Sequence, residues 1–190
     1  PGATSNALQV GLNTAVAGNY TGANAGSATI AFVSDASNVG NCAPNCQLTL
    51  APQTVTVSGK VYTAAVGQAG TPVVDFGIVR VGDTVSARNI TVSNTAAVTG
   101  LNDTLQASLG GVSGPFTPGA AATGIAAQGS GQIAVGLNTT TAGVYSQNGT
   151  VGFLSQNADM ADVSAGPDAA VQVKAQVTNL ANADFDLLAG

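Results

Sequence analysis

Apolar and polar residues alternate along much of this chain. The pattern runs through Val55-Thr56-Val57 to Val61, Ile90-Thr91-Val92, Leu105-Gln106-Ala107-Ser108-Leu109, Ile133-Ala134-Val135-Gly136-Leu137 and Val171-Gln172-Val173-Lys174-Ala175-Gln176-Val177. A period of two puts every second side chain on one face of an extended backbone, so each run predicts a half-buried strand. β-branched residues dominate these runs, as strands favour. Turn formers separate them: Gly82-Asp83, Gly110-Gly111, Gly114-Pro115, Pro118-Gly119, Gly129-Ser130-Gly131 and Gly166-Pro167-Asp168. Asn148-Gly149, between Tyr145 and Val151, predicts a tight hairpin turn. The Ala-rich stretches are broken by Gly or Thr, and no window supports a long amphipathic helix. About seven short strands in a stretch of roughly 105 residues predict an all-β fold of immunoglobulin-like antiparallel sandwich type. A barrel or a β-helix is the alternative, although a β-helix wants a far shorter repeat than this chain shows.

The chain also repeats itself. Val10-Gly11-Leu12-Asn13-Thr14 recurs as Val135-Gly136-Leu137-Asn138-Thr139, and Ala17-Gly18-Asn19-Tyr20 recurs as Ala142-Gly143-Val144-Tyr145 at the same offset of 125. Thr29-Ile30-Ala31-Phe32-Val33-Ser34 matches Thr150-Val151-Gly152-Phe153-Leu154-Ser155 at an offset of 121. Val55, Val57, Gly59 and Val61 match Val171, Val173, Ala175 and Val177 at an offset of 116. The falling offset places extra residues of the first copy at Gly22–Ser27 and in the loop holding Cys42 and Cys46. The second copy has a front half, with Val73-Val74-Asp75-Phe76-Gly77 and Ile90-Thr91-Val92-Ser93-Asn94, for which the first shows no counterpart. The expected organisation is therefore a partial, C-terminal-half unit over 1–64, a complete unit over 65–180, and an opening or donor strand over 181–190. Phe185, Leu187 and Leu188 are the candidate assembly residues of that last segment.

Composition narrows the chemistry. Of 190 residues only 7 % are charged, with four Lys and Arg against nine acids, all of them Asp. An ordinary domain carries about 25 %, so hydroxyls and amides must wet this surface. Histidine is absent, which removes Ser-His and Cys-His nucleophile pairs and imidazole metal sites. A net charge of −5 excludes a phosphate-binding surface for nucleic acid. No apolar run approaches the ~20 residues of a membrane span. Cys42 and Cys46 are separated by three residues with Pro44-Asn45 between them, and a turn there brings them within reach of a disulfide. Two free thiols are the alternative, and zinc lacks the four ligands it needs.

Val74-Asp75-Phe76-Gly77, Val79-Arg80-Val81-Gly82-Asp83-Thr84 and Ile90-Thr91-Val92-Ser93-Asn94-Thr95 resemble the opening strands of choice-of-anchor D type repeats of bacterial surface proteins. Ser113-Gly114-Pro115-Phe116, Val135-Gly136-Leu137-Asn138-Thr139 and the segment 183–190 are similar to the same family. The resemblance implies an immunoglobulin-like repeat of an exported, extracellular or cell-surface protein, and it carries no chemistry.

The remaining candidates each have a plainer account. Asp75-Phe76-Gly77 is the kinase triplet without its companion loops. Asp159, Asp162 and Asp168 could offer carboxylates to calcium, but the EF-hand spacing and any Glu are missing, so the expectation is a solvated loop and no metal. Lys60 and Lys174 read as edge-strand lysines that discourage sheet-to-sheet pairing. The functional expectation is a protein with no catalytic site and no cofactor: an extracellular structural subunit or tandem repeat of a fibre, stalk or surface layer. Its partner would be itself, as a homopolymer, or adjacent repeats. An adhesin or ligand-binding module, with loops such as 38–46 or 115–123 touching a ligand, is the alternative.

Overall fold

Proline and glycine set the limits of the strands, and the alternation of apolar residues sets their inner faces. The computed structural model describes residues 4, 6–42 and 45–181. It divides into two compact units, Pro1–Tyr62 with Thr99–Leu101, and Thr63–Val98 with Asn102–Gly190.

The first unit holds β1 (Gly18–Tyr20), β2 (Gly26–Asp35), β3 (Gln47–Val57) and β4 (Gly59–Val61), with a short 3-10 turn at Gly22–Asn24. They make two separate two-stranded sheets, β1 with β4 and β2 with β3, both antiparallel. The β2–β3 ladder shifts register between Ile30 and Phe32, where Ala51 and Pro52 face the single residue Ala31. Pro52 has no N–H to give to a ladder, so the strand bulges there.

The second unit holds β5 (Gly67–Ala69), β6 (Val73–Arg80), β7 (Arg88–Asn94), β8 (Thr104–Gly110), β9 (Phe116–Pro118), β10 (Ala122–Ile125), β11 (Ser130–Leu137), β12 (Gly143–Gln156), β13 (Val163–Ser164) and β14 (Ala169–Thr178). One sheet has the order β10-β8-β12-β14-β6, with β13 also on β12, and the other has the order β5-β7-β11-β9. From β6 to β12 successive strands alternate between the sheets, and β6 runs parallel to β14 while the other pairs are antiparallel. This is an immunoglobulin-like β-sandwich. Its core joins Val74, Phe76, Leu105, Ala107, Val151, Phe153, Val171 and Val173 of one sheet to Ile90, Val92, Phe116, Ile133 and Val135 of the other.

Two sequence expectations need correction. Asn148 and Gly149 do not turn: β12 runs straight through them, with Asn148 opposite Gln172 and Gly149 opposite Val171. The glycine serves packing, because a Cβ there would lie 2.9 Å from side-chain carbons of both Leu109 and Val112. Lys174 is not on an edge, since β14 lies between β12 and β6; its ammonium pairs with Asp75 at 3.1 Å on the adjacent strand.

Candidate functional site

The internal repeat is a repeat of structure, down to the register. Gly18, Asn19 and Tyr20 pair with Val61, Lys60 and Gly59, as Gly143, Val144 and Tyr145 pair with Val177, Gln176 and Ala175. Gly26, Ala28 and Ile30 face Val57, Val55 and Gln53, as Gln147, Gly149 and Val151 face Val173, Val171 and Ala169. The corners match as well. The Tyr20 hydroxyl donates to the Val16 carbonyl at 3.0 Å, and the Tyr145 hydroxyl donates to Thr141 at 3.0 Å. Asn13 Oδ1 accepts the Ala15 N–H, and Asn138 Oδ1 accepts the Thr140 N–H. The tyrosine corner was readable as Gly-x-Tyr in both copies, although the sequence gives no sign of its hydrogen bond.

What differs is cover. In the second unit β12 is flanked by β14 and β8, and β14 by β12 and β6. Among the described residues of the first unit, β2 pairs with β3 alone, and β4 with β1 alone. The counterparts of β6, β7, β8 and β9 are missing among the described residues of this unit. The cost shows in matched side chains. Phe153 is 4 % exposed and Val171 1 %, whereas their counterparts Phe32 and Val55 are 36 % and 38 % exposed. Val135 is fully buried and Val10, in the same pentapeptide, is 44 % exposed. Ser155 is buried, its Oγ accepting the Ala65 N–H and donating to Asp103 at 2.7 Å, while its counterpart Ser34 lies exposed. No described residue from 4 to 62 is buried.

The identical pentapeptide also changes conformation. Val135–Leu137 complete β11 between β7 and β9, whereas 10–14 form no strand. A strand needs ladder partners for its N–H and C=O groups, and here none is present among the described residues. Beside this segment lies a cavity of about 310 Å³ lined by Leu12, Val16, Tyr20 and Val57 with Gly11, Asn13, Asn24 and Gly26. In the second unit the matching Tyr145 stands edge-on to Phe116 at 6.5 Å, and Phe116 stacks on Phe76 at 6.1 Å. Tyr20 has neither ring beside it among the described residues.

The other candidates resolve individually. Cys42 and Cys46 form a disulfide with Cα atoms 5.1 Å apart. Phe185, Leu187 and Leu188 lie outside the described residues. Asp162 accepts a hydrogen bond from Gln156, and the N–H of Asp159 donates to Asn157; no group of three or more Cys or Asp is placed to hold a metal among the described residues. Asp75 accepts the Gly77 N–H at 2.8 Å and faces Lys174, and these two contacts hold its carboxyl below the usual carboxylate range. The buried Asp103–Ser155 pair, further satisfied by Asn157, ties the segment entering β8 to the end of β12. No local pattern shows it, because Asp103 lies 52 positions from Ser155 and 54 from Asn157.

No family model and no curated protein matches the chain. Among solved structures, it is similar to the ASH/PapD-like domain of human CEP192 (PapD-like domain 7), with 10 % identity, 62 % of this chain and 89 % of that chain covered, and a TM-score of 0.48. WR4, a C. elegans MSP family member, gives 9 % identity over 58 % of this chain and 98 % of that one, with a TM-score of 0.42. The E. coli chaperone DraB gives 10 % identity over 61 % and 57 % of the two chains, with a TM-score of 0.37.

Proposed function

We propose that this chain is a non-catalytic structural protein of the cell exterior, a subunit or tandem repeat of a fibre, stalk or surface layer. Neighbouring molecules or repeats associate head to tail, and strands of one complete the open sandwich of the next. One observation carries this reading: residues matched in sequence and in strand register are buried in the second unit and bare in the first. An apolar face left in water forfeits about 25 cal/mol for each Å² not buried, and two-stranded sheets are marginal alone. Completion by added strands restores both the burial and the ladder hydrogen bonds. A contact between unlike ends of a molecule does not close on itself and propagates as a filament. The disulfide fits an oxidising compartment, and a surface with few charges lets neighbours approach at small desolvation cost.

The test is a concentration series followed by sedimentation velocity and electron microscopy. Linear assemblies that lengthen with concentration are expected. A chain that stays monomeric at every concentration, with a cooperatively folded first unit, would overturn the proposal. A monomer that captures a glycan or protein ligand would replace it with a binding module.

A further inference from the structure

Resting on that reading, we propose the two surfaces that meet: the apolar face of the β2–β3 hairpin in one molecule packs on the outer face of β12, β14 and β6 in the next, with Phe32, Leu48 and Leu50 against Ile78 and Val144. The hairpin is two-sided. Ala28 and Val55, Phe32 and Leu50, and Ser34 and Leu48 are paired on one side, whereas Ser27 and Thr56, Thr29 and Thr54, and Val33 and Thr49 are paired on the other. Phe32, Leu50 and Leu48 are 36 %, 44 % and 65 % exposed, and no charged residue stands on their side of the hairpin.

The outer face of a sandwich sheet calls for polar side chains, and Ser146, Asn148, Gln172 and Lys174 follow that rule. Val144 and Ile78 break it, at 81 % and 72 % exposed. They flank Gln176 in one cross-strand row and border a concavity of about 270 Å³ together with Gly77, Ser146 and Lys174. The repeat shows that this patch belongs to the second unit alone. The counterpart of Val144 is Asn19, and β6, which carries Ile78, has no counterpart among the described residues of the first unit. The uncovered inner face belongs to the first unit alone. Each surface thus occurs once per chain and differs from the other, so their contact runs head to tail and propagates. Charge at the rims agrees. Asp35, the one acid of the first 64 residues, ends β2, and Arg80 ends β6 beside Ile78. The Asp35 carboxylate accepts from Ser37 and Gln47 and stays exposed. An acid and a base at the ends of the two strands fix orientation more than they add affinity. Sheets pack face to face about 10 Å apart with interdigitating side chains, and an aromatic ring in a concavity is a favoured anchor. A face two strands wide is small, so the contact is of the weak, concentration-dependent kind.

Complementation between two variants tests the pairing by sedimentation velocity. Phe32→Asp spoils the hairpin face and Val144→Asp spoils the outer patch, and each alone should raise the concentration needed for assembly at least tenfold. Mixed in equal amounts, they should form dimers that grow no further, because each chain keeps the one surface that the other has lost. The Phe32→Asp chain contributes only its second unit to that dimer, and the melting transition of the second unit is the folding control for both variants. Val98→Asp, at an exposed apolar position away from the patch, should assemble like the parent. Asp35→Arg and Arg80→Asp should each weaken assembly, and the double variant should recover most of it. If the parent chain assembles and either Phe32→Asp or Val144→Asp assembles equally well, or if their mixture stays monomeric, this pairing fails while the structural role stands. If the parent chain assembles at no concentration, both fail.

Discussion

The two units of this protein use nearly the same residues for opposite results. Val10-Gly11-Leu12-Asn13-Thr14 and Val135-Gly136-Leu137-Asn138-Thr139 are identical in sequence, yet Val135 lies in a strand at the centre of a core and Val10 lies in irregular chain at the surface. Local propensity is equal in the two places, so the difference arises from neighbours alone. β11 has β7 and β9 to bond to, and 10–14 have no such strands among the described residues. The hairpin register, by contrast, survives without a core, because it is fixed by pairs of adjacent strands and by the tyrosine corner. A sandwich can thus lose half its strands and keep the geometry of those that remain, together with an exposed template for the rest.

Matched substitutions give the sharpest contrast. Phe153→Ala removes a buried ring and should cost the second unit about 3–5 kcal/mol by chemical denaturation. Phe32→Ala, at the matching but exposed position, should change the dilute chain by within about 0.5 kcal/mol. Equal costs would mean that Phe32 is buried in solution, and the comparison would fail. Next in size is the polar tie. Asp103→Ala leaves the Ser155 hydroxyl and the Asn157 amide without their acceptor and should cost about 1–3 kcal/mol. Ser34→Ala, at the exposed counterpart of Ser155, should be neutral in the same assay.

Reduction of Cys42–Cys46 comes third. The bridge spans a sequence separation of 4, so chain entropy gives it about 2 kcal/mol. Its loss should loosen β2–β3 in the concentrated, assembled sample, seen as faster amide exchange there than with the bridge intact, with no shift in the melting of the second unit. The smallest effect concerns pH. Hydrogen bonding by the Gly77 N–H and then the Lys174 ammonium lowers the Asp75 carboxyl below its ordinary value. A depressed carboxylate contributes stability that is present above its unfolded pKa and is lost as pH falls through the folded one. Asp75→Asn should therefore flatten a shallow acid limb of the second unit and leave its stability at pH 7 little changed, because both partners are about half exposed. A steep loss at neutral pH would show that the pair matters more than its exposure allows.

The fold class was legible because alternation and turn residues act within a strand, and the repeat was legible because it is written in identical residues. Features that depend on a third strand were not. Asn148-Gly149 has the form of a turn, and only the packing of Leu109 and Val112 against Gly149 explains why the strand continues. Lys174 has the look of an edge residue, and only the parallel docking of β6 makes it internal. The aromatic chain Tyr145–Phe116–Phe76 joins residues 29 and 40 positions apart, beyond the reach of any local pattern. The bare face of the first unit became visible only when its matched positions could be compared for burial.

Amide hydrogen exchange on the dilute, monomeric chain bears most directly on the first unit's need for a neighbour. Segments 26–35 and 47–61 should exchange close to the rate of unstructured chain while 147–156 and 163–177 stay protected, and concentrating the sample should slow the first pair. Equal, slow exchange of both pairs in the dilute monomer would contradict the account.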